Sequence, residues 1–202
     1  MMDERDRLRG RHRVACAAVA LVALLIGIIV ATGKPAVAAP IPLLAPVAAV
    51  DGRPVDGISS SAEEQVAFHI HAHLQVYVDG QQRALPAGVG IVAPLQVRTT
   101  AEGPFVEGGA GIYWLHTHDA SGVIHIESPV HRRFTLGELF DIWGQPLGPQ
   151  QVGPAQGPVT VLVDGAVVGG DPRGLILNAH DVIQLDVGAV VPFQDYRFAP
   201  GL

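Results

Sequence analysis

Two short stretches of this chain hold six of its nine histidines at spacings that suit chemistry. The first is Phe68-His69-Ile70-His71-Ala72-His73-Leu74. The second is Ile112–Ser128, I-Y-W-L-H-T-H-D-A-S-G-V-I-H-I-E-S, which contains His116, His118, His125 and Glu127. Both alternate polar and apolar residues, and side chains on a strand alternate between its two faces. His69, His71 and His73 therefore share one face, and His116, His118, His125 and Glu127 share another. A wet sheet face is the plain explanation for one such histidine. Six stacked imidazoles are harder to explain that way, because neighbours that become charged repel. A metal ion removes the difficulty, since the neutral ring nitrogen is the ligand. Two histidines at i and i+2 place their Cβ atoms about 6.5–7 Å apart, so both rings can converge on one ion, as in the H-x-H pairs of zinc and copper enzymes. If the two strands adjoin, the donors can surround one ion or two side by side.

Ligand type narrows the metal. The only cysteine is Cys16 and the only methionines are Met1 and Met2, so a thiolate or thioether Cu(I) site and a blue-copper centre are disfavoured. Imidazole-rich sites suit Cu(II), Zn(II), Ni(II) and ferrous iron, and affinity order in an oxidising exterior favours Cu(II) or Zn(II). Asp119 is better placed to orient a histidine or the turn than to bind metal. Three functions fit. One is a protein that captures copper or zinc in a closed site. Another is a metalloenzyme with an open position and Glu127 as general base or iron ligand. The third is a metal-free exported structural domain whose histidines sense pH.

These side chains need strands to position them. The run Asp119-Ala120-Ser121-Gly122 is a turn signal. Pairing the flanking strands around a two- or four-residue loop sets His118 opposite Val123, His116 opposite His125 and Trp114 opposite Glu127. Tyr113, Leu115, Ile124 and Ile126 then form an apolar face. The first histidine strand continues through Gln75–Val78, turns at Asp79-Gly80 and leads to an expected partner at Val89–Val92. Pro94–Thr100 reads as a further strand and Ala101–Gly111 as a loop. Thr135-Leu136-Gly137-Glu138 has the form of a capping box, followed by Leu136, Leu139, Phe140 and Trp143 at helical spacing and by Gly144 where the helix should end. Val159–Val163, Ala166–Val168 and Val182–Val187 read as strands, and Val159–Gly165 echoes Leu74–Gly80. The expected fold is mainly β (α+β), an antiparallel or mixed sheet with one short helix. Residues 112–187 follow the element order of β-grasp domains. His180 reads as a local hydrogen-bonding group in a turn, and His131 as a surface residue.

Composition supports a turn-rich β protein: 49% apolar and 16% charged residues, with 24 Gly and 16 Pro. A net charge of −6 gives no reason to expect nucleic acid as a partner. Residues 40–202 hold seven arginines and no lysine against sixteen Asp and Glu, which suits cations. Arg5, Arg7, Arg9, Arg11 and Arg13 precede the uncharged run Val14–Thr32, long enough to span a bilayer. Residues 1–13 are thus expected in the cytoplasm and all later ones outside. Ala36-Val37-Ala38 could serve as a cleavage site if 14–32 is a long signal peptide instead of an anchor. Residues 33–62 read as a Pro/Ala-rich tether, and 63–202 as the extracytoplasmic domain.

The motifs H-I-H-A-H-L, L-H-T-H-D-A-S-G-V-I-H-I-E-S-P and F-T-L-G-E-L-F-D-I-W-G together resemble those of a family of exported or membrane-anchored prokaryotic proteins, over roughly residues 66–144. The resemblance implies an extracytoplasmic domain and carries no activity with it.

Overall fold

The structure is a computed structural model that describes residues 40–202. The expected cytoplasmic N-terminus, the apolar run 14–32 and residues 33–39 of the tether lie outside the described residues. Among those described, no helix is long and apolar enough to cross a membrane.

A seven-stranded mixed sheet positions the histidines. Its strands in chain order are β1 (Phe68–Val78), β2 (Gln81–Arg83), β3 (Leu115–His116), β4 (Val123–Ser128), β5 (Val159–Val163), β6 (Ala166–Val168) and β7 (Val182–Val187). Across the sheet the order is β6-β5-β7-β1-β4-β3, with β2 paired to the C-terminal end of β1. Strand β7 runs parallel to β1, and every other pairing is antiparallel. The first and last strands thus lie side by side at the centre. The sheet spans 68–187, and the β-grasp arrangement expected for 112–187 does not stand alone, because β1 is inserted between β4 and β7.

Alternation separates the two faces. Ala72, Leu74 and Val76 of β1, Ile124 and Ile126 of β4, Leu115 of β3, and Ile183, Leu185 and Val187 of β7 form the apolar layer. It is covered by helix α1 (Leu136–Trp143), whose Leu136, Leu139, Phe140, Ile142 and Trp143 are buried. Thr135 caps the helix through the full capping box with Glu138, and Gly144 ends it at φ 69°; both follow from the sequence. Asp79-Gly80 and Asp164-Gly165 adopt positive φ in turn, as tight hairpin turns demand, so the echoed segments are two hairpins of one kind.

Three expectations are corrected. The partner of β1 beyond Asp79-Gly80 is Gln81–Arg83, while Ile91–Val92 pairs with Gly111–Tyr113. Residues 101–111 are largely strand: Gly103–Gly108 pairs with Gln96–Thr100. The ribbon has only two strands, so each is an edge strand, where Pro104, which lacks an N–H, is tolerated. Third, residues 40–62 join the folded body. Leu44, Ala45 and Ile58 are buried in the core, Pro46 O accepts the Trp143 indole N–H, and Ser60–Ser61 pairs with Ile112–Tyr113. The stretch that looked like a spacer is instead pinned to the core, with Ala84 N donating to Pro42 O and Leu44 N to Ala84 O.

The polar face is covered too. The C-terminal tail, residues 190–202, crosses it. Gln184 Oε1 accepts from Gln194 N, Asp186 Oδ2 from Val191 N, and the Gln75 amide donates to Gln194 O. Gln75, Gln184 and Asp186 are buried beneath it.

Candidate metal centre

Register brings the expected ligands together. Across β1 and β4, His69 faces Glu127 and His71 faces His125; across β4 and β3, His125 faces His116. The His116–His125 pairing is the one the turn signal implied, although the chain leaves the strand at Thr117, and Val123 pairs with His73 instead of His118. Gly122 permits the turn: its φ is +94°, and a Cβ there would run into the Leu74 carbonyl oxygen.

Four donor atoms close a ring. His69 Nε2 lies 3.1 Å from His71 Nε2, which lies 3.2 Å from His125 Nδ1; that atom is 3.2 Å from Glu127 Oε1, which returns to His69 Nε2 at 3.1 Å. Whether flat or puckered toward a tetrahedron, an equal-sided ring of this size has its centre about 1.9–2.2 Å from each atom, the range of zinc–nitrogen and zinc–oxygen bonds. Hydrogen bonds alone serve the ring poorly. A ring nitrogen carries either one proton or one lone pair in its plane, so at most two of the four sides can be full hydrogen bonds. Even with His69 and His125 both donating to Glu127 Oε1, His71 Nε2 is left with no proton aimed at its lone pair. A central cation satisfies all four sides at once.

A second group lies beside the first. His116 Nε2 is 3.1 Å from His118 Nε2, and His118 Nε2 is 3.3 Å from Glu64 Oε1. The other nitrogens are held by backbone carbonyls, His116 Nδ1 by Tyr113 O at 2.9 Å and His118 Nδ1 by Val106 O. Three sets of ligand atoms each lie within 4.8 Å of one another: His69, His71, His125 and Glu127; His116, His118 and His125; and Glu64, His116 and Glu127.

Electrostatics keep His71 and His116 neutral. Burial, then the neighbouring His125 and His69, push His71 down to about 4. Burial, then His125 and His118, push His116 down to about 3. For Glu127, burial alone would raise the carboxyl, but the His125 hydrogen bond and the surrounding imidazoles outweigh it and hold the group below its ordinary value. Neutral His71 and His116 beside an ionised Glu127 are the protonation states a divalent cation requires.

His73 is not brought into the cluster. It belongs to none of the three sets; its Nε2 meets Ser121 O at 2.9 Å and its ring stacks on Tyr196 at 3.6 Å. Its strand pairs there with Val123, beyond the histidines of β3 and β4, so alternation alone misleads at this position. His180 sits in a turn at φ 64° with Nε2 on Leu202 O, and His131 is exposed against Phe68. Asp119 accepts from Ser121 N and so orders the turn. Sequence reasoning missed Glu64, the second of two adjacent glutamates ahead of β1 in a segment without periodicity. It also missed Phe105, which stacks on His118 from the ribbon read as a loop.

The cluster opens onto space. A cavity of about 320 Å³ is lined by His69, His71, His118, His125, Glu127 and Glu64 among others. Another of about 480 Å³ adjoins it beside His118 and His125, walled by Phe105, Val123, Tyr196 and Leu202. Comparison with protein-family models, curated proteins and solved structures finds no match to this chain.

Proposed function

We propose that this protein is a membrane-tethered, extracytoplasmic, histidine-rich protein that binds a divalent transition metal, copper or zinc. The closed ring of His69, His71, His125 and Glu127 carries the reading, because its size matches a coordination sphere and hydrogen bonds alone can fill only two of its four sides. The absence of cysteine and methionine from residues 40–202 supports Cu(II) or Zn(II) over Cu(I). Tethering is supported by the five arginines ahead of the apolar run 14–32. The acidic balance of residues 40–202 suits capture of cations.

A second reading, a metal-dependent enzyme, is favoured by one observation: the cavities reach the donor atoms. A capture site that is saturated by its own ligands needs no such access, whereas catalysis at a metal needs an open position. The metal reading is tested by elemental analysis of the full chain, purified without a histidine tag, beside a His69→Ala/His71→Ala variant. Copper or zinc in the first and reduced content in the second are expected. Equal content in both would remove the ring as the binding site.

A further inference from the structure

Seven donors crowd this region, and one tetrahedral ion uses four. We infer that the centre takes two divalent ions side by side: one in the ring of His69, His71, His125 and Glu127, the other held by His116, His118 and Glu64, with the Glu127 carboxylate bridging them. The inference rests on the metal-binding reading and adds the number of ions and a ligand, Glu64, to it.

Three observations carry it. First, the backbone carbonyls of Tyr113 and Val106 face Nδ1 of His116 and His118. A carbonyl only accepts, so each Nδ1 carries the proton and each neutral ring leaves a lone pair on Nε2. Those two lone pairs face each other at 3.1 Å, a repulsive contact that a shared cation converts into two bonds. A carbonyl holding the distal nitrogen is also how metal-bound histidines are commonly fixed. Second, the Glu64 carboxylate lies 3.3 Å from His118 Nε2. With Nδ1 holding the proton of a neutral ring, His118 Nε2 has none to give this carboxylate; both become ligands once an ion lies between them. Third, Glu127 is 2% exposed, yet its Oε2 has no hydrogen-bond partner, while Oε1 serves the ring. A buried orphan oxygen is costly. Glu127 also offers a ligand atom within 4.8 Å of those of His116 and Glu64. A bridging carboxylate accounts for the orphan, and bridged pairs lie about 3.5–4 Å apart in two-metal sites.

The test is zinc stoichiometry of the full chain in detergent, measured by elemental analysis after gel filtration and by competition with a chromophoric chelator. Wild type should hold two equivalents. His116→Gln/His118→Gln should hold one, and so should His69→Gln/His71→Gln. Because buried variants can fail to fold, Glu64→Gln provides a surface change at a half-exposed side chain: the second equivalent should weaken at least about tenfold while the first is unchanged. One equivalent in wild type would overturn the two-ion arrangement and leave the metal reading standing; none would overturn both. Two equivalents of undiminished affinity in Glu64→Gln and in the folded His116→Gln/His118→Gln protein would place the second ion elsewhere.

Discussion

At the scale of residues, the centre depends on which atoms hydrogen bonds leave free. His71 Nε2 is left unserved by the ring's hydrogen bonds and Glu127 Oε2 has no partner, whereas His73 is turned away from the ring, its Nε2 on Ser121 O and its face on Tyr196. The two kinds of histidine should therefore behave differently. Glu127→Gln keeps the shape but removes the charge, and zinc affinity measured by chelator competition should fall at least about tenfold, or ~1.4 kcal/mol. His73→Phe preserves stacking on Tyr196 and should leave affinity within about twofold. An equal loss in His73→Phe would mean that the first histidine trio acts as a unit after all, and the ring as drawn would be wrong.

At the scale of elements, a turn and a cap govern the site from different distances. Gly122 lets β4 begin where His125 meets His71 and His116; with Cβ at that φ the chain must move away from Leu74 and His73. Gly122→Ala should lower both the unfolding midpoint and zinc affinity. Thr135→Ala removes the capping box beneath the opposite, apolar face and should cost about 1 kcal/mol of stability with zinc affinity unchanged, as read by denaturant titration beside the competition assay. The contrast between cap and turn reflects what the sequence made legible. Period-two histidines, the His116–His125 register and the Thr135–Gly144 helix are local signals, and each could be read from neighbouring residues. Adjacency of the two histidine strands was not local. Nothing in Phe68–Leu74 says that its partner lies more than fifty residues on. The ribbon Gln96–Gly108 was obscured by Pro104 and glycines that an edge strand tolerates. Glu64 reaches the site only because residues 40–62 fold onto the core, where proline content had suggested a spacer.

At the scale of the whole molecule, α1 covers one face of the sheet and the C-terminal tail crosses the other, so His71 and His116 are buried within its polar layer. That arrangement links stability to acidity in a definite direction. In the unfolded chain His71 and His116 titrate near the ordinary 6.5; in the folded, metal-free protein burial holds them at about 4 and about 3. Above pH 6.5 both states are neutral at these positions and stability is full. As pH falls below 6.5, the unfolded chain binds protons that the folded one refuses, and stability is lost through the folded values. The loss is about 2 kcal/mol per histidine between pH 7 and pH 5. Glu127, held below its ordinary value, adds in the same direction under about pH 4.5. Chelator-treated protein should therefore show a denaturation midpoint that drops steeply from pH 7 to pH 5. A His71→Gln/His116→Gln variant should show a flatter profile over the same interval, because Gln does not titrate. Saturating zinc should raise the midpoint at pH 7 by the mass-action amount set by its affinity and lose that increment toward pH 5, as protons compete for the ligand nitrogens. A midpoint that does not change with pH in the metal-free protein would mean that His71 and His116 are hydrated, and their burial in the polar layer would have to be abandoned.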